Sequence, residues 1–253
     1  MSRKTMLVLA LALLSLAPGA FAITFGVPDG GDHPNVGGVV VDIDGEKFLV
    51  CTGTLISPTV FLTAAHCIFD GDYFVSFDAE ITASSKLHPG TPFVHPDFTF
   101  SQNDPHDVAV IVFAKSVKGI TPAALPSAGL LNNLNLNGQK FTGVGYGLHE
   151  RVHTPGGGAP LFEDNNERWR SVSDFNALSS AWLRLSQNPA TGNGGTCFGD
   201  SGGPNFLGAG NSETPIIAAL TITGDAVCRA TNVTYRLDTP QARSFLGVFV
   251  TLP

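Results

Sequence analysis

Three short segments carry residue types that can perform covalent chemistry together. "FLTAAHCIF" sets His66 just after an apolar run and beside Cys67. "NDPHDVAVIVF" sets Asp107 immediately before a buried-looking strand, and "GGTCFGDSGGP" sets Ser201 among glycines. A serine hydroxyl is a weak nucleophile and needs a base to take its proton. The base in turn needs an anion to hold its tautomer and stabilise its charged form. Glycines beside the serine let backbone N–H groups converge on a developing oxyanion with no side chain in the way. Singly, each residue has a plainer explanation: a structural histidine, an aspartate capping a turn, a tight glycine turn. Their combination points to nucleophilic acyl transfer.

His106, next to Asp107, is a tempting second base, but neighbours in a strand point to opposite faces, which places it outside the trio. His33, His88, His95, His149 and His153 show no partner spacing that suggests a metal. No cysteine pair has the close spacing of a zinc site, so neither a metal nor a cofactor is expected. "NVT" at Asn232–Thr234 fits a glycosylation acceptor but falls inside a strand-like run, and it is taken as incidental.

These residues need a scaffold. Gly (29) and Pro (17) are abundant, charge is low at 14%, and long helical periodicity is absent. Short β-branched and aromatic runs broken by turn residues recur instead, among them "VGGVVVDIDG", "KFLVCTGTLIS", "DVAVIVFA", "KFTGVGYG" and "TPIIAALTITG". Many short strands predict an all-β barrel or sandwich. "VDIDGEKFLV" predicts a hairpin turning at Asp44-Gly45. "DTPQARSFLGVFV" predicts a short C-terminal helix, with Pro240 at its start and Asp238 or Thr239 as cap. Thr121–Gln139 is a candidate linker between halves, and His149–Arg168 is expected to be an exposed, mobile loop.

The first 22 residues follow a secretory leader pattern. Arg3 and Lys4 start it, Met6–Ala17 is almost wholly apolar, and Ala20-Phe21-Ala22 offers a cleavage site. The apolar run falls short of the about 20 residues that span a bilayer. Removing residues 1–22 takes away Arg3 and Lys4 and no acid, so the net charge moves from −7 to −9. An acidic chain disfavours nucleic acid and anionic membrane as main partners. Export, to the extracellular space or a periplasm, favours two disulfides among Cys51, Cys67, Cys197 and Cys228, with three pairings open.

"LTAAHC", "HDVAVIVF" and "GDSGGP", in chain order His, Asp, Ser, resemble the signature segments of the trypsin/chymotrypsin family of serine proteases. Supporting matches include "ITFG", "GTLISPTVFLTAAHC", "HPDF", "KFTGVGYG" and "VTYRLDTPQARSFL", so the resemblance spans residues 23–253. With few cysteines, the chain is more similar to microbial secreted members than to vertebrate digestive ones. The resemblance implies two antiparallel six-stranded β-barrels, about 23–125 and 135–253, with the active site in the cleft between them and a short C-terminal helix. It implies Ser201 as nucleophile, His66 as general base and then acid, and Asp107 as orienting carboxylate. The N–H groups of Gly199 and Ser201 form the implied oxyanion hole. The implied disulfides are Cys51–Cys67 and Cys197–Cys228. Protein or peptide substrates, proteinaceous inhibitors and a monomeric state are expected.

Gly195 stands where trypsin-like members carry the pocket aspartate, which argues for a neutral rather than a basic substrate side chain. Thr223, Gly224 and Asp225 are expected in the pocket wall, and Asp225 supplies a negative charge that leaves the preference open. In this family a free N-terminal residue, here Ile23, pairs its ammonium with the aspartate before the nucleophile, here Asp200. Cleavage after Ala22 exposes Ile23 directly, so export and activation are expected to be one event. Two other functions compete: a catalytically silent trypsin-like binding or recognition protein, and an acyl hydrolase on an α/β fold. The latter runs Ser, Asp, His, the reverse of the order here.

Overall fold

The computed structural model describes residues 22–152, 161–163 and 166–253. The leader up to Phe21, and His153 in the long loop, lie outside the described residues. β1 (Val27–Pro28) is followed by β2 (Val36–Ile43), β3 (Glu46–Ser57), β4 (Val60–Thr63), β5 (Asp72–Ser76), β6 (His88–Val94) and β7 (Ala109–Phe113). These last six close into a barrel in the order β2-β3-β4-β7-β6-β5. A linker carrying α1 (Leu130–Asn133) leads to β8 (Lys140–Gly145). After β9 (His149–Val152) and β10 (Leu161–Glu163) come β11 (Trp169–Leu178), β12 (Trp182–Ser186), β13 (Pro204–Leu207), β14 (Ile217–Gly224) and β15 (Thr231–Arg236). The second barrel runs β8-β11-β12-β15-β14-β13 and closes because β8 pairs with both β11 and β13. α2 (Pro240–Leu246) ends the chain's regular structure.

Local chemistry explains the punctuation. Ile43 faces Glu46 across the predicted turn, and both Asp44 and Gly45 take positive φ, as a two-residue hairpin of that hand requires. Thr239, not Asp238, caps α2: its hydroxyl accepts the Ala242 N–H at 3.3 Å. Asp238 is occupied elsewhere, accepting from the Leu131 N–H at 2.8 Å and from Arg236. The linker is no loose tether, because Leu125, Leu131 and Leu136 are buried. Part of the segment expected as a mobile loop is instead an antiparallel ribbon of β9 and β10. Backbone pairing holds it, so no apolar alternation announces it in the sequence.

Alternation along each strand sends Val39, Val41, Leu55, Phe61, Val75 and Ile111 into the first barrel. Phe141, Leu183 and Leu185 fill the second. A larger cluster joins the barrels, including Leu62, Val110, Val144, Phe206, Leu220 and Tyr235. Each such fully buried side chain stabilises by about 1.5–3 kcal/mol, so the cleft between the barrels has a rigid floor. The N-terminal segment crosses to the second barrel, where β1 pairs with β11.

A buried polar clamp supplements this packing. Arg168, 2% exposed, donates from Nε to Asp29 at 2.8 Å and from Nη1 to the carbonyls of Val36 and Phe77, each at 3.1 Å. It thus ties the entry to β11 onto the first barrel. His33 completes the clamp, with Nδ1 on Asp29 and Nε2 2.7 Å from Glu213. Burial opposes its charge, but the two carboxylates prevail and raise the imidazole pKa to about 9.

Candidate active site

Three elements carry the predicted trio, and two of its members, His66 and Asp107, are in direct contact. β4 delivers the chain into a short 3₁₀ turn, Ala65–Cys67, which carries His66. Asp107 lies two residues before β7, whose Ala109 faces Thr63 of β4. Asp107 is 4% exposed. Its Oδ1 accepts the His66 backbone N–H at 3.0 Å, and its Oδ2 lies 2.7 Å from His66 Nδ1. An ionised carboxylate only accepts, so Nδ1 must carry the proton and Nε2 is left with a lone pair. A quarter of the His66 side chain remains exposed.

Ser201 arrives from the second barrel. Its carbonyl accepts the Thr52 N–H of β3 at 2.9 Å and lies 3.7 Å from Cys67 Sγ. The loop of Ser201 is therefore docked beside the residue that follows His66. Cys51 and Cys67 are bridged, which staples the histidine turn to β3. Cys197 and Cys228 are bridged as well, joining the serine loop to the segment after β14.

Ahead of Ser201, the Phe198 carbonyl accepts the Leu148 N–H at 2.6 Å. A planar trans peptide then points the Gly199 N–H the other way. Among the described residues, no protein oxygen accepts from the Gly199 or Ser201 N–H. Gly199 takes φ +95°, and a β-carbon on it would come 2.9 Å from the Gly147 Cα. Only glycine meets both conditions.

Asp200 lies directly behind. It is fully buried and accepts from the N–H groups of Gly147 at 2.8 Å and Cys197 at 2.7 Å. Burial pushes its carboxyl up to about 7, against the pull of those donors. Among the described residues, no ion pair reaches it. The Ile23 side chain is also fully buried, against Trp169. The next residue locks the segment in place: the Thr24 carbonyl accepts the Gly195 N–H at 2.9 Å, and its hydroxyl donates to the Cys228 carbonyl at 2.6 Å.

A cavity of about 110 Å³ opens beside Ser201, lined by Thr196, Cys197, Thr221, Thr223, Gly224, Asp225 and Cys228, with the exposed Phe198 at its side. Asp225 brings a carboxylate to the cavity wall that already accepts from backbone. Burial resists ionisation, but the N–H groups of Thr231, Arg229 and Ala230 outweigh it and hold the carboxyl below its ordinary value. Gly195 is not among the lining residues. A β-carbon at 195 would overlap the Gln187 amide, whose Nε2 donates to the Thr196 carbonyl at 3.1 Å. Gln187, buried with its Oε1 unpartnered within the protein, is a residue that sequence reasoning missed, since no motif surrounds it.

A second cavity, about 500 Å³, adjoins the first and shares Ile222 and Thr223 with it. His66, Asp107, Phe100 and Trp182 are among its walls. His106 and Asp107 precede β7 rather than lie in a strand, and His106 takes φ +52° with its ring packed on His95, centroids 4.7 Å apart. Asn232 is 1% exposed, and its Nδ2 donates to Asn205 at 3.1 Å, so the folded chain offers no acceptor there for a glycan.

Comparison with known proteins agrees with this geometry. The family profile described as Trypsin matches residues 29–240. Mouse vitamin K-dependent protein C is 32% identical over 183 residues, covering 64% of this chain and 38% of that protein. The rat protein of the same name is 31% identical over 114 residues, covering 42% and 24%. The venom serine protease Bi-VSP of Bombus ignitus is 28% identical over 179 residues, covering 64% and 49%. The chain thus spans less than half the length of each of these relatives. Two closed six-stranded barrels, a terminal helix and a profile match across most of the chain establish that the protein belongs to the trypsin family.

Proposed function

We propose that this protein is a secreted serine endopeptidase that cleaves protein or peptide substrates through an acyl-enzyme. The observation that carries the proposal is the double contact of the buried Asp107 with His66, which leaves Nε2 as a base beside the loop of Ser201. Ser201 Oγ attacks the scissile carbonyl while its proton moves to His66 Nε2. The Gly199 and Ser201 N–H groups take the oxyanion. The C–N bond then breaks as His66 returns the proton to the leaving amine. Water, activated by the same imidazole, releases the acyl group and restores Ser201.

Secretion follows from residues 1–22 acting as a signal peptide. Their removal would free the Ile23 amine for Asp200, so that export itself activates the enzyme. Two observations support this: Asp200 is a buried carboxyl among N–H donors alone, and Ile23 already sits in the fold with its side chain fully buried. Ile23 also holds φ +43°, a conformation that strains a β-branched residue. That torsion involves the bond to Ala22 and ceases to exist once the bond is cut. N-terminal sequencing of the secreted protein should begin Ile-Thr-Phe-Gly; any other start removes this part of the reading.

The cavity beside Ser201 is small and Gly195 adds no carboxylate to it, which fits a neutral substrate side chain, while the Asp225 carboxylate on its wall leaves a basic one open. The protein acts as a monomer and is open to proteinaceous inhibitors that fill the same cleft. A phosphonylating active-site reagent tests the core of the proposal: the mature chain should gain its mass on Ser201, and His66→Ala should label far more slowly. Absence of labelling in both would leave a silent trypsin-like binder.

A further inference from the structure

Among the described residues, two groups bring three side chains with metal-ligand chemistry within reach of one another. Cys51, His66 and Cys67 are already occupied by the disulfide and the triad. The other group is His95, Asp97 and His106, whose donor atoms all lie within 4.8 Å of one another.

The fold builds this group from both ends of one loop. His95 follows β6 and is 7% exposed. Its Nδ1 accepts the Asp97 backbone N–H at 3.1 Å, a bond that an ion taking that lone pair would displace. The ring packs on Phe245 of α2 at 5.2 Å. At the far end of the loop, His106 takes φ +52°, a left-handed turn that few non-glycine residues adopt, and its ring lies 4.7 Å from that of His95. Burial, and then the neighbouring His106, lower the proton affinity of His95, which favours the neutral ring that ligates metals. A cavity of about 460 Å³ lined by the three residues opens in front of them. It has room for water on an ion.

We propose that His95, Asp97 and His106 form a binding site for one divalent transition-metal ion such as Zn²⁺, with water completing its coordination. Two imidazoles and one carboxylate suit Zn²⁺, Co²⁺ or Ni²⁺ rather than Ca²⁺ or Mg²⁺, which prefer oxygen alone. Bonds of about 2.0–2.1 Å in a tetrahedral site put ligands about 3.3 Å apart. The group must therefore close by at most about 1.5 Å, a movement open to the exposed Asp97 and the partly exposed His106. The ion would clasp the neck of the 97–106 loop. Thr99, Phe100, Ser101 and Gln102 of that loop wall the cavity beside His66, and His106 adjoins Asp107. Occupancy therefore reaches the catalytic cleft, a consequence that rests on the protease reading; the binding itself does not.

The test is calorimetric titration of the chelator-stripped protein with ZnCl₂, paired with the visible absorption of added Co²⁺. One ion per chain is expected. His106→Ala and Asp97→Asn, both at accessible positions, should each weaken binding at least about tenfold, the lower range for loss of a supporting group, with unchanged circular dichroism. No binding by wild type would overturn the site. So would binding untouched by both substitutions but lost in His66→Ala, since that places the ion on the catalytic histidine. As a second readout, Zn²⁺ should alter peptide hydrolysis by wild type and not by His106→Ala. An ion that binds without changing turnover would refute only the link to the cleft.

Discussion

Asp107 holds His66 at two points, accepting its backbone N–H at 3.0 Å and facing its ring Nδ1 at 2.7 Å. The first contact fixes where the histidine sits, and the second fixes which nitrogen carries the proton. Asp107→Asn separates the two. An amide can keep the backbone contact through its oxygen, but its NH₂ would face Nδ1 and force the proton onto Nε2. We expect kcat to fall about 10⁴-fold, the loss characteristic of this triad, while the melting temperature changes little. Near-normal turnover in steady-state assays would show that the tautomer is not set by Asp107.

On the proposed pairing with the Ile23 amine, the buried Asp200 would report activation as a change in stability. Its carboxyl titrates near 7 when residues remain before Ile23, far above an unfolded aspartate near 3.9. Between those values the folded chain holds the proton and the unfolded chain does not, so stability falls as pH rises from about 4 to about 7. A Ser201→Ala chain that retains Ala22 should show this decline in urea melts. The same variant starting at Ile23 should show little of it, because an ammonium partner favours the charged carboxylate. Identical pH profiles for the two chains would rule out the pairing.

His33 has the opposite origin of charge but the same direction of change. Its folded pKa of about 9 lies above the ordinary 6.5. The stability it contributes is therefore complete below pH 6.5 and is lost as pH rises through 9, at most on the order of 3 kcal/mol. Glu213→Gln removes one of its two carboxylates and should shrink that alkaline loss. Guanidinium midpoints from pH 6 to 10 measure it, and parallel curves for the two proteins would contradict the clamp.

Gly195 cannot be turned into a basic-specific pocket by itself. Gly195→Asp drives its side chain into the Gln187 amide and should cost about 1–3 kcal/mol in overpacking without gaining cleavage after Arg or Lys. Adding Gln187→Ala should recover stability and shift a peptide panel toward basic residues. Basic preference in the single variant would mean that Gln187 moves freely.

What was legible in the sequence was whatever lies within a few residues of its cause. "DSGG" around Ser201 and the Asp44-Gly45 turn are local demands of backbone conformation, and they survive as motifs. Alternating apolar runs announce strands for the same reason. The paired strands β9 and β10 were missed because ladder hydrogen bonds use the backbone, which is the same in every residue. Asp238 and Thr239 were equally plausible caps until Arg236 and Leu131 were seen to claim Asp238.

By itself, the sequence determined the all-β class, the positions of His66, Asp107 and Ser201, and the cysteines available to brace them. Each rests on short-range stereochemistry or on a contiguous motif. Only the tertiary structure decided that Gln187 backs Gly195, that Arg168 and His33 lock the second barrel to the first, and that His95 meets His106. Those contacts join residues that only the closure of the barrels and loops brings together. Whether two side chains meet depends on strand register and packing, which the whole chain sets at once.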